Sequence, residues 1–346
     1  MLWLCLHLPH LPLSALGVET ANSVVVDQRG SQRWLITDAP HSPAGSALAK
    51  DLSLHPELKL QARRPASEQA ALRSLAYWAY RYGQPVSFEI QDLSEPGRVP
   101  RALLWVEVGH SLALFGGLDS LRDHFCGELL ELGHTAQLGI APTRAAAALR
   151  ACAGQSEPVL STEHLSTAIS ELPIALLHWP GDLLDSLHGV GFRQLRDLFA
   201  VPREAFSKRF GVQYRLALDQ LLGDAAEPCE AIEPPQNFRR RFELNAEIEE
   251  VERLQFPLKR LCTELQAYLR ARDCGLRSVT LAVAHANARE TRVHAQFVDP
   301  HRDAARIFDA LRERLERDGL PLPARELILM AEDFAEASVP QSDLFD

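Results

Sequence analysis

The sequence predicts an α+β protein of several domains, and three observations carry that prediction. Residues 1–165 mix short apolar strands with amphipathic helices. Residues 166–232 keep a helical rhythm broken only by brief spacers. Residues 236–335 then follow the order β-α-β-β-α-β, a split βαβ pattern. At 346 residues the chain is long enough for two or three domains, each with its own core.

The opening run Met1 to Leu16, MLWLCLHLPHLPLSAL, reads as a buried strand entering a helix. It lacks the basic start and small-residue cleavage site of a signal peptide. Val24 to Asp27 and Trp34 to Thr37 are short strand-like runs, while Pro40 to Pro65 is rich in Pro, Ala and Ser and has little periodicity. Leu72, Leu75, Ala76, Ala79 and Tyr80 share one face of a helix over Ser67 to Tyr82. Ala102 to Val108 and Leu112 to Phe115 read as strands, the second ended by Gly116-Gly117. A helix over Leu118 to Leu132, a strand over Ala136 to Ile140 and an Ala-rich helix over Pro142 to Ala153 follow.

In the helical region, Asp182 to Leu187 and Phe192 to Phe199 are helices on either side of Leu187-His188-Gly189-Val190-Gly191-Phe192. This is either an ordinary αα-hairpin turn or a helix-hairpin-helix. In the second case the glycines bring backbone N–H groups to a phosphate, with Arg193 and Arg196 just beyond. Such contacts read no base sequence. Gly223 to Gln236, with its acids and prolines, is the linker. Beyond it Phe238 to Leu244 is a strand, Glu249 to Arg272 a helix, Ser278 to Ala284 and Thr291 to Phe297 paired strands, Pro300 to Arg317 a helix and Glu326 to Ala331 a last strand. Glu336 to Asp346 has no periodicity and reads as a flexible tail.

The 46% apolar and 24% charged fractions are those of a soluble globular protein. No apolar run approaches the roughly 20 residues that span a bilayer, so no membrane partner is expected. Six cysteines without a CxxC pair fit reduced thiols in a cytoplasm and no zinc site. No phosphate-binding glycine fingerprint is present. The net charge of −10 excludes a coat of basic surface. Residues 236–335 hold 17 Arg and Lys against 17 Asp and Glu, so the acidic excess lies elsewhere. The densest basic run, Arg239-Arg240-Arg241, is either a solvated strand edge or a phosphate contact.

The opening strand resembles that of the Y-family translesion polymerases, the DinB/UmuC superfamily. Theirs carries an acid near the seventh position, often with another two residues on. Here those places hold His7 and Pro9, and no Asp or Glu precedes Glu19. The family's second block, Ser-hydrophobic-Asp-Glu-Ala-Tyr-Leu-Asp before a turn, is similar to Glu107 to Leu114 with Phe115-Gly116-Gly117, which puts Gly109-His110 at the acid pair. Its third block, Gly-Ile-(Ser/Ala)-x-Asn-Lys, is similar to Gly139-Ile140-Ala141-Pro142-Thr143-Arg144, and its triphosphate lysine falls on Ala148. The family's nucleotide-contacting Tyr and Arg have no match between Asp38 and Arg64.

Phosphoryl transfer needs carboxylates to hold its metal ions, and magnesium is a poor partner for imidazole. The matching implies His7 and His110 facing each other across a vacated metal site. Glu107 is the one acid nearby, on the same strand face as Gly109. No catalytic residue, metal or cofactor is therefore expected.

The resemblance covers nearly the whole chain. It implies a right hand with a palm over 1–165 carrying a small fingers insertion (about 21–66) and a helical thumb over 166–232 with the helix-hairpin-helix. A little finger over 236–335 and a clamp-binding tail over 336–346 complete it. Lys208-Arg209-Phe210-Gly211 is similar to a further thumb turn. In the tail, Gln341-Ser342-Asp343-Leu344-Phe345 resembles the sliding-clamp motif Gln-Leu-(Ser/Asp)-Leu-Phe, with Ser342 as the departure. Such peptides dock through Leu and Phe and order only on binding.

Leu2-Trp3-Leu4, Trp78-Ala79-Tyr80-Arg81 and Phe115-Gly116-Gly117 are closest in wording to the catalytically degenerate members found in bacterial mutagenesis cassettes. That branch implies an adaptor in damage-induced (SOS) translesion synthesis. It would bind the β sliding clamp through Gln341, Asp343, Leu344 and Phe345. It would hold DNA without sequence preference through Gly189, Gly191, Arg193, Arg196, Arg239, Arg240 and Arg241. It would bring in an error-prone C-family DNA polymerase and the RecA-like ImuA subunit. Members often continue past the clamp motif, so a chain ending at Asp346 is either a short form or truncated. Two alternatives stay open: an active low-fidelity polymerase with displaced metal acids, and a structural helix-hairpin-helix DNA-binding protein.

Overall fold

A strand with apolar side chains on both faces belongs inside a sheet, and β1 (Trp3–His7) lies there. Leu4, Cys5 and Leu6 are all fully buried. The computed structural model describes residues 1–17, 23–39, 42–48, 58–233, 237–286 and 289–336. Its contacts divide into two units: Met1–Ala76 with Tyr82–Ile232, and Tyr77–Arg81 with the chain from Glu233 on.

In the first unit β1 leads into α1 (Leu11–Leu16), then β2 (Ser23–Arg29), β3 (Gln32–Leu35), β4 (Lys59–Ala62), α2 (Pro65–Ala79), β5 (Val86–Gln91), β6 (Arg101–Glu107), α3 (Leu118–Glu131), β7 (Gln137–Ala141) and α4 (Arg144–Cys152). The main sheet has the order β5-β6-β1-β7, with antiparallel neighbours throughout. A smaller sheet, β3-β2-β4, pairs β2 with β4 in parallel. Arg29 and Arg63 tie that sheet down. Arg63 meets Glu68 at 2.9 Å and Asp92 at 2.5 Å, and Arg29 meets Asp92 at 3.1 Å and Asp27 at 3.2 Å. Opposed charges this close, on arginine side chains only 8% and 4% exposed, neutralise one another out of water.

Helices α5 (Leu165–Ile169), α6 (Gly181–Gly189), α7 (Leu195–Phe199), α8 (Arg203–Phe210) and α9 (Val212–Leu222) complete the unit. Their Leu187, Leu195, Leu198, Phe206 and Leu218 join one core with Trp3, Cys5, Leu103 and Trp105 of the sheet. Helix α4 lies close across the same face because position 139 is a glycine. A Cβ there would meet Ala147 O at 2.1 Å and Ala151 N at 2.4 Å.

The second unit contains β8 (Phe238–Ile248), α10 (Gln255–Ala271), β9 (Cys274–His285), β10 (Glu290–His301), α11 (Ala304–Asp318), β11 (Ala324–Ala331) and β12 (Phe334–Glu336). Its sheet has the order β10-β9-β11-β8, with β12 on β9. Apolar side chains of α10 and α11, such as Leu261, Leu265, Ile307 and Leu311, share a core with Leu276, Val283 and Leu327 of the strands.

Several expectations are corrected. Leu112–Phe115 is a 3-10 turn: Leu114 is 85% exposed, and the Gly117 N–H closes back on Leu112 O at 2.9 Å. An apolar run alone does not distinguish a strand from a tight turn. β5, with the alternation Val-Ser-Phe-Glu-Ile-Gln, and β4 were not anticipated. β3 ends at Leu35 rather than Thr37. Pro142 precedes the α4 cap, and Thr143 caps by accepting from the Ala146 N–H at 3.2 Å. Pro300 lies in β10, and α11 starts after the Asp303 cap. α7 is only five residues long and begins at Leu195.

The close approach at Gly139 predicts that Gly139→Val destabilises the protein by about 3 kcal/mol, since backbone rather than a side chain must move. Urea unfolding measures it, and an unchanged midpoint would count against the packing described.

Candidate functional site

The antiparallel ladders decide which side chains can meet. His7 pairs with Leu103 on β6 and with Gln137 on β7, and Leu103 pairs with Glu89 on β5. Directly opposed residues share a face. The row across the sheet is therefore Glu89, Leu103, His7, Gln137. His7 Nδ1 lies 3.1 Å from Gln137 Oε1, and burial holds its pKa below the usual histidine value. Pro9 follows β1, outside the ladder.

The expected confrontation of His7 with His110 does not occur. β6 runs antiparallel to β1, so Glu107 pairs with Trp3 at the other end. That is about 13 Å from Leu103 along the strand, and Gly109 and His110 lie beyond it. Glu107 serves the backbone at that end of the sheet. It is 2% exposed, and its Oε1 accepts from the Leu2 N–H at 2.8 Å and the Gly109 N–H at 3.1 Å. It braces the start of β1. Among the described residues no three His, Cys, Asp or Glu side chains are placed to hold a metal.

Ala148 lines a cavity of about 270 Å³ between the sheet, α4 and the helices after it, together with Arg101, Leu103, Trp105 and Trp179. The first turn of α4 is occupied by the chain's own acid. Glu227 accepts from the Ala145 N–H at 3.0 Å and lies 3.5 Å from Arg144. Arg144 in turn stacks over Trp105 at 4.7 Å, a cation–π contact. Glu227 and its contacts were not legible, because Glu227 lies 82 positions from Ala145 in the chain.

The hairpin after α6 has the expected sharp turn, with Gly191 at φ 93° and Gly189 ending the helix. Its amides, however, are spent internally. Val190 and Phe192 donate to Leu187 O, Gly191 to His188 O, Leu195 to Leu172 O and Arg196 to Ser170 O. The Arg193 and Gln194 N–H groups donate to Asp197 Oδ2 at 2.8 and 2.9 Å, and these two bonds hold the Asp197 carboxyl below its ordinary range. Arg193 also grips His188 O at 2.7 Å, and Arg196 pairs with Glu171 at 2.5 Å. Lys208 and Arg209 stand exposed at the end of α8, with Arg209 over the Phe210 ring.

The basic run on β8 alternates. Arg239 and Arg241 are exposed, whereas Arg240 points at α10 and meets Glu264 at 2.8 Å. Arg241 pairs with Glu326 at 3.0 Å. Arg292 and His294 of β10 lie on the same face, through the paired positions Ile328 and Met330 of β11 and Ala282 and Thr280 of β9. Gln341, Asp343, Leu344 and Phe345 lie outside the described residues.

This mixed α/β fold resembles that of the Y-family DNA polymerases. A Y-family polymerase chimera of Dbh and Dpo4 superimposes with TM-score 0.51 at 18% identity, covering 96% of this chain and 98% of that one. The insertion ternary complex of Dbh DNA polymerase gives 0.51 at 17%, covering 98% and 100%. DinB from Sulfolobus solfataricus gives 0.50 at 16%, also covering 98% and 100%. At such identities the likeness is one of fold. Residues 237–344 match the impB/mucB/samB family C-terminal domain. Over 184 residues the chain is 30% identical to Protein ImuB of Caulobacter vibrioides (strain NA1000 / CB15N), and equally so to that of strain ATCC 19089. The match takes in 53% of this chain and 38% of the relative's length. The chain is thus similar in sequence to ImuB over about half of its length, and similar in fold to the Y-family polymerases. No helix among the described residues is long and apolar enough to cross a membrane.

His178 supplies a pH dependence for this unit. It sits at φ 56° with Nε2 3.2 Å from Gln91 O, and burial beside Arg101 and Arg98 lowers its pKa from 6.5 to about 4. The unfolded chain takes up this proton near pH 6.5 and the folded one only near 4, so stability is full above 6.5 and falls as pH drops between them. We expect a loss of about 2 kcal/mol across that window, after discounting for partial exposure of the ring. His178→Asn tolerates the positive φ and should flatten the profile of urea midpoint against pH. An equally steep profile in that variant would remove His178 as the cause.

Proposed function

We propose that the chain is a non-catalytic polymerase homologue serving as a clamp- and DNA-binding adaptor in error-prone, damage-induced translesion synthesis. The row Glu89–Leu103–His7–Gln137 carries this reading. Beside the opening strand, where the polymerases it resembles keep metal-binding acids, stand a leucine, an uncharged imidazole and an amide. The lone carboxylate, Glu89, is on the edge strand two strands from His7. Two-metal phosphoryl transfer needs several carboxylates converging on one point. The relative named ImuB supports the assignment to mutagenesis.

Contact with DNA falls to side chains. On the hairpin the amides are committed, which leaves Arg193 and Arg196 as the groups able to reach a phosphate. On the second unit Arg239 and Arg241 face outward. The tail residues Gln341, Asp343, Leu344 and Phe345 take the clamp, and the partners recruited are a C-family polymerase and the RecA-like ImuA subunit.

A Leu344→Ala, Phe345→Ala double variant should lose binding to the purified sliding clamp by more than tenfold, while wild type shows no magnesium-dependent primer extension above background. Extension by wild type that disappears in Glu89→Ala would instead establish the second reading, an active low-fidelity polymerase, which the fold likeness to Dbh favours.

The sheet face makes a further distinction. Arg239→Ala and Arg241→Ala should each weaken DNA binding by a similar factor on any sequence and lower the salt slope by about 1. Arg240→Ala should leave the slope unchanged and cost stability through Glu264. Fluorescence anisotropy across a salt series reads both, and an equal effect of all three would contradict the alternation.

A further inference from the structure

The cavity in the first unit is bounded by β5, β6, α4, α9 and the 3-10 turn Ile174–Leu177. At about 270 Å³ it lies just below the roughly 300–1,000 Å³ of drug-sized ligand sites, with room for a compact molecule. Its floor and wall are rigid core: Leu103, Trp105 and Trp179 are 1%, 3% and 8% exposed.

The charges around it are compensated unequally. Glu227 has the Arg144 guanidinium at 3.5 Å and the Ala145 N–H at 3.0 Å. Glu89 is exposed to water and accepts from the Gln91 amide at 3.2 Å. Arg101 donates to Leu176 O at 2.7 Å and Ala175 O at 3.5 Å, and forms no ion pair among the described residues. Those bonds use two of its five N–H donors. Burial lowers its base strength, and Arg98 nearby adds to the effect. A partly buried guanidinium without a counter-charge is costly, and its remaining fork matches a planar carboxylate.

We propose that this cavity binds a small organic acid, its carboxylate on Arg101 and its apolar body against Leu103, Leu177 and Trp179. The ligand is monoanionic and compact, and it is held by one charged fork and otherwise by hydrophobic contact. Trp105 and Trp179 report its arrival, since both line the space it enters.

Benzoate is the probe, titrated into the full chain and followed by tryptophan fluorescence and by calorimetry. The expected result is saturable binding with a Kd on the order of 1 mM. Arg101→Gln should weaken it at least tenfold, the loss of a charge-assisted pair. Ala148→Leu, which fills the cavity from α4 and leaves the Arg101 guanidinium in place, should abolish it. Circular dichroism and urea midpoints accompany both variants. If Arg101→Gln does not fold, Ala148→Leu decides alone. Absence of saturable binding by wild type overturns the proposal. So does retention in Ala148→Leu, or benzamide binding as tightly as benzoate, since the neutral isostere offers no charge to Arg101.

Discussion

The position of β1 between β6 and β7 is the constraint on which the first unit depends. Its three central residues are fully buried, so neither face can turn to water. A slip of one residue would exchange the side chains on the two faces, putting Leu4 and Leu6 where Trp3, Cys5 and His7 now stand. Glu107 secures the alignment by accepting two backbone N–H bonds, one from each strand's end. From this register follow the core shared with α4 and the helices beyond it, and the row in which His7 meets Leu103. Gly139 adds the second half of the constraint, because only a bare backbone lets α4 settle on that face.

Charge is distributed in a consistent way. In the first unit, several helix starts and buried arginines are satisfied from within. Glu227 occupies the first turn of α4, Glu95 accepts from the Gly181 N–H that opens α6, and Asp197 accepts the two amides before α7. Arg29 and Arg63 face Asp27, Asp92 and Glu68. The acidic excess of the sequence outside residues 236–335 thus supplies caps and counter-ions. Arg101 is an exception within that pattern, which is why the cavity beside it stands out. On the second unit, Arg239, Arg241 and Arg292 remain exposed on the sheet face away from α10.

The fold likeness to Y-family polymerases at 16–18% identity shows how much architecture survives when the side chains change. A sheet framework is specified by alternation, burial and a few close approaches, whereas chemistry depends on a handful of positions in one row. In this chain the row holds Leu103, which contributes to the core as a hydrophobic residue.

What the sequence by itself determined is the content of the elements. The two-faced apolar opening strand, the order of strands and helices after Phe238, and the lack of acids before Glu19 were all legible, because composition and periodicity are local properties. The basic run Arg239-Arg240-Arg241 was legible as a run. Only the tertiary structure decided which face α10 covers, and so which of the three arginines is withdrawn to Glu264. It likewise decided that His7 meets Leu103 and Gln137 rather than His110, that the hairpin amides are already donated, and that Arg101 has no carboxylate partner among the described residues. Each of these rests on pairing between residues far apart in the chain, such as 7 with 103 and 145 with 227, and no local pattern encodes a long-range register.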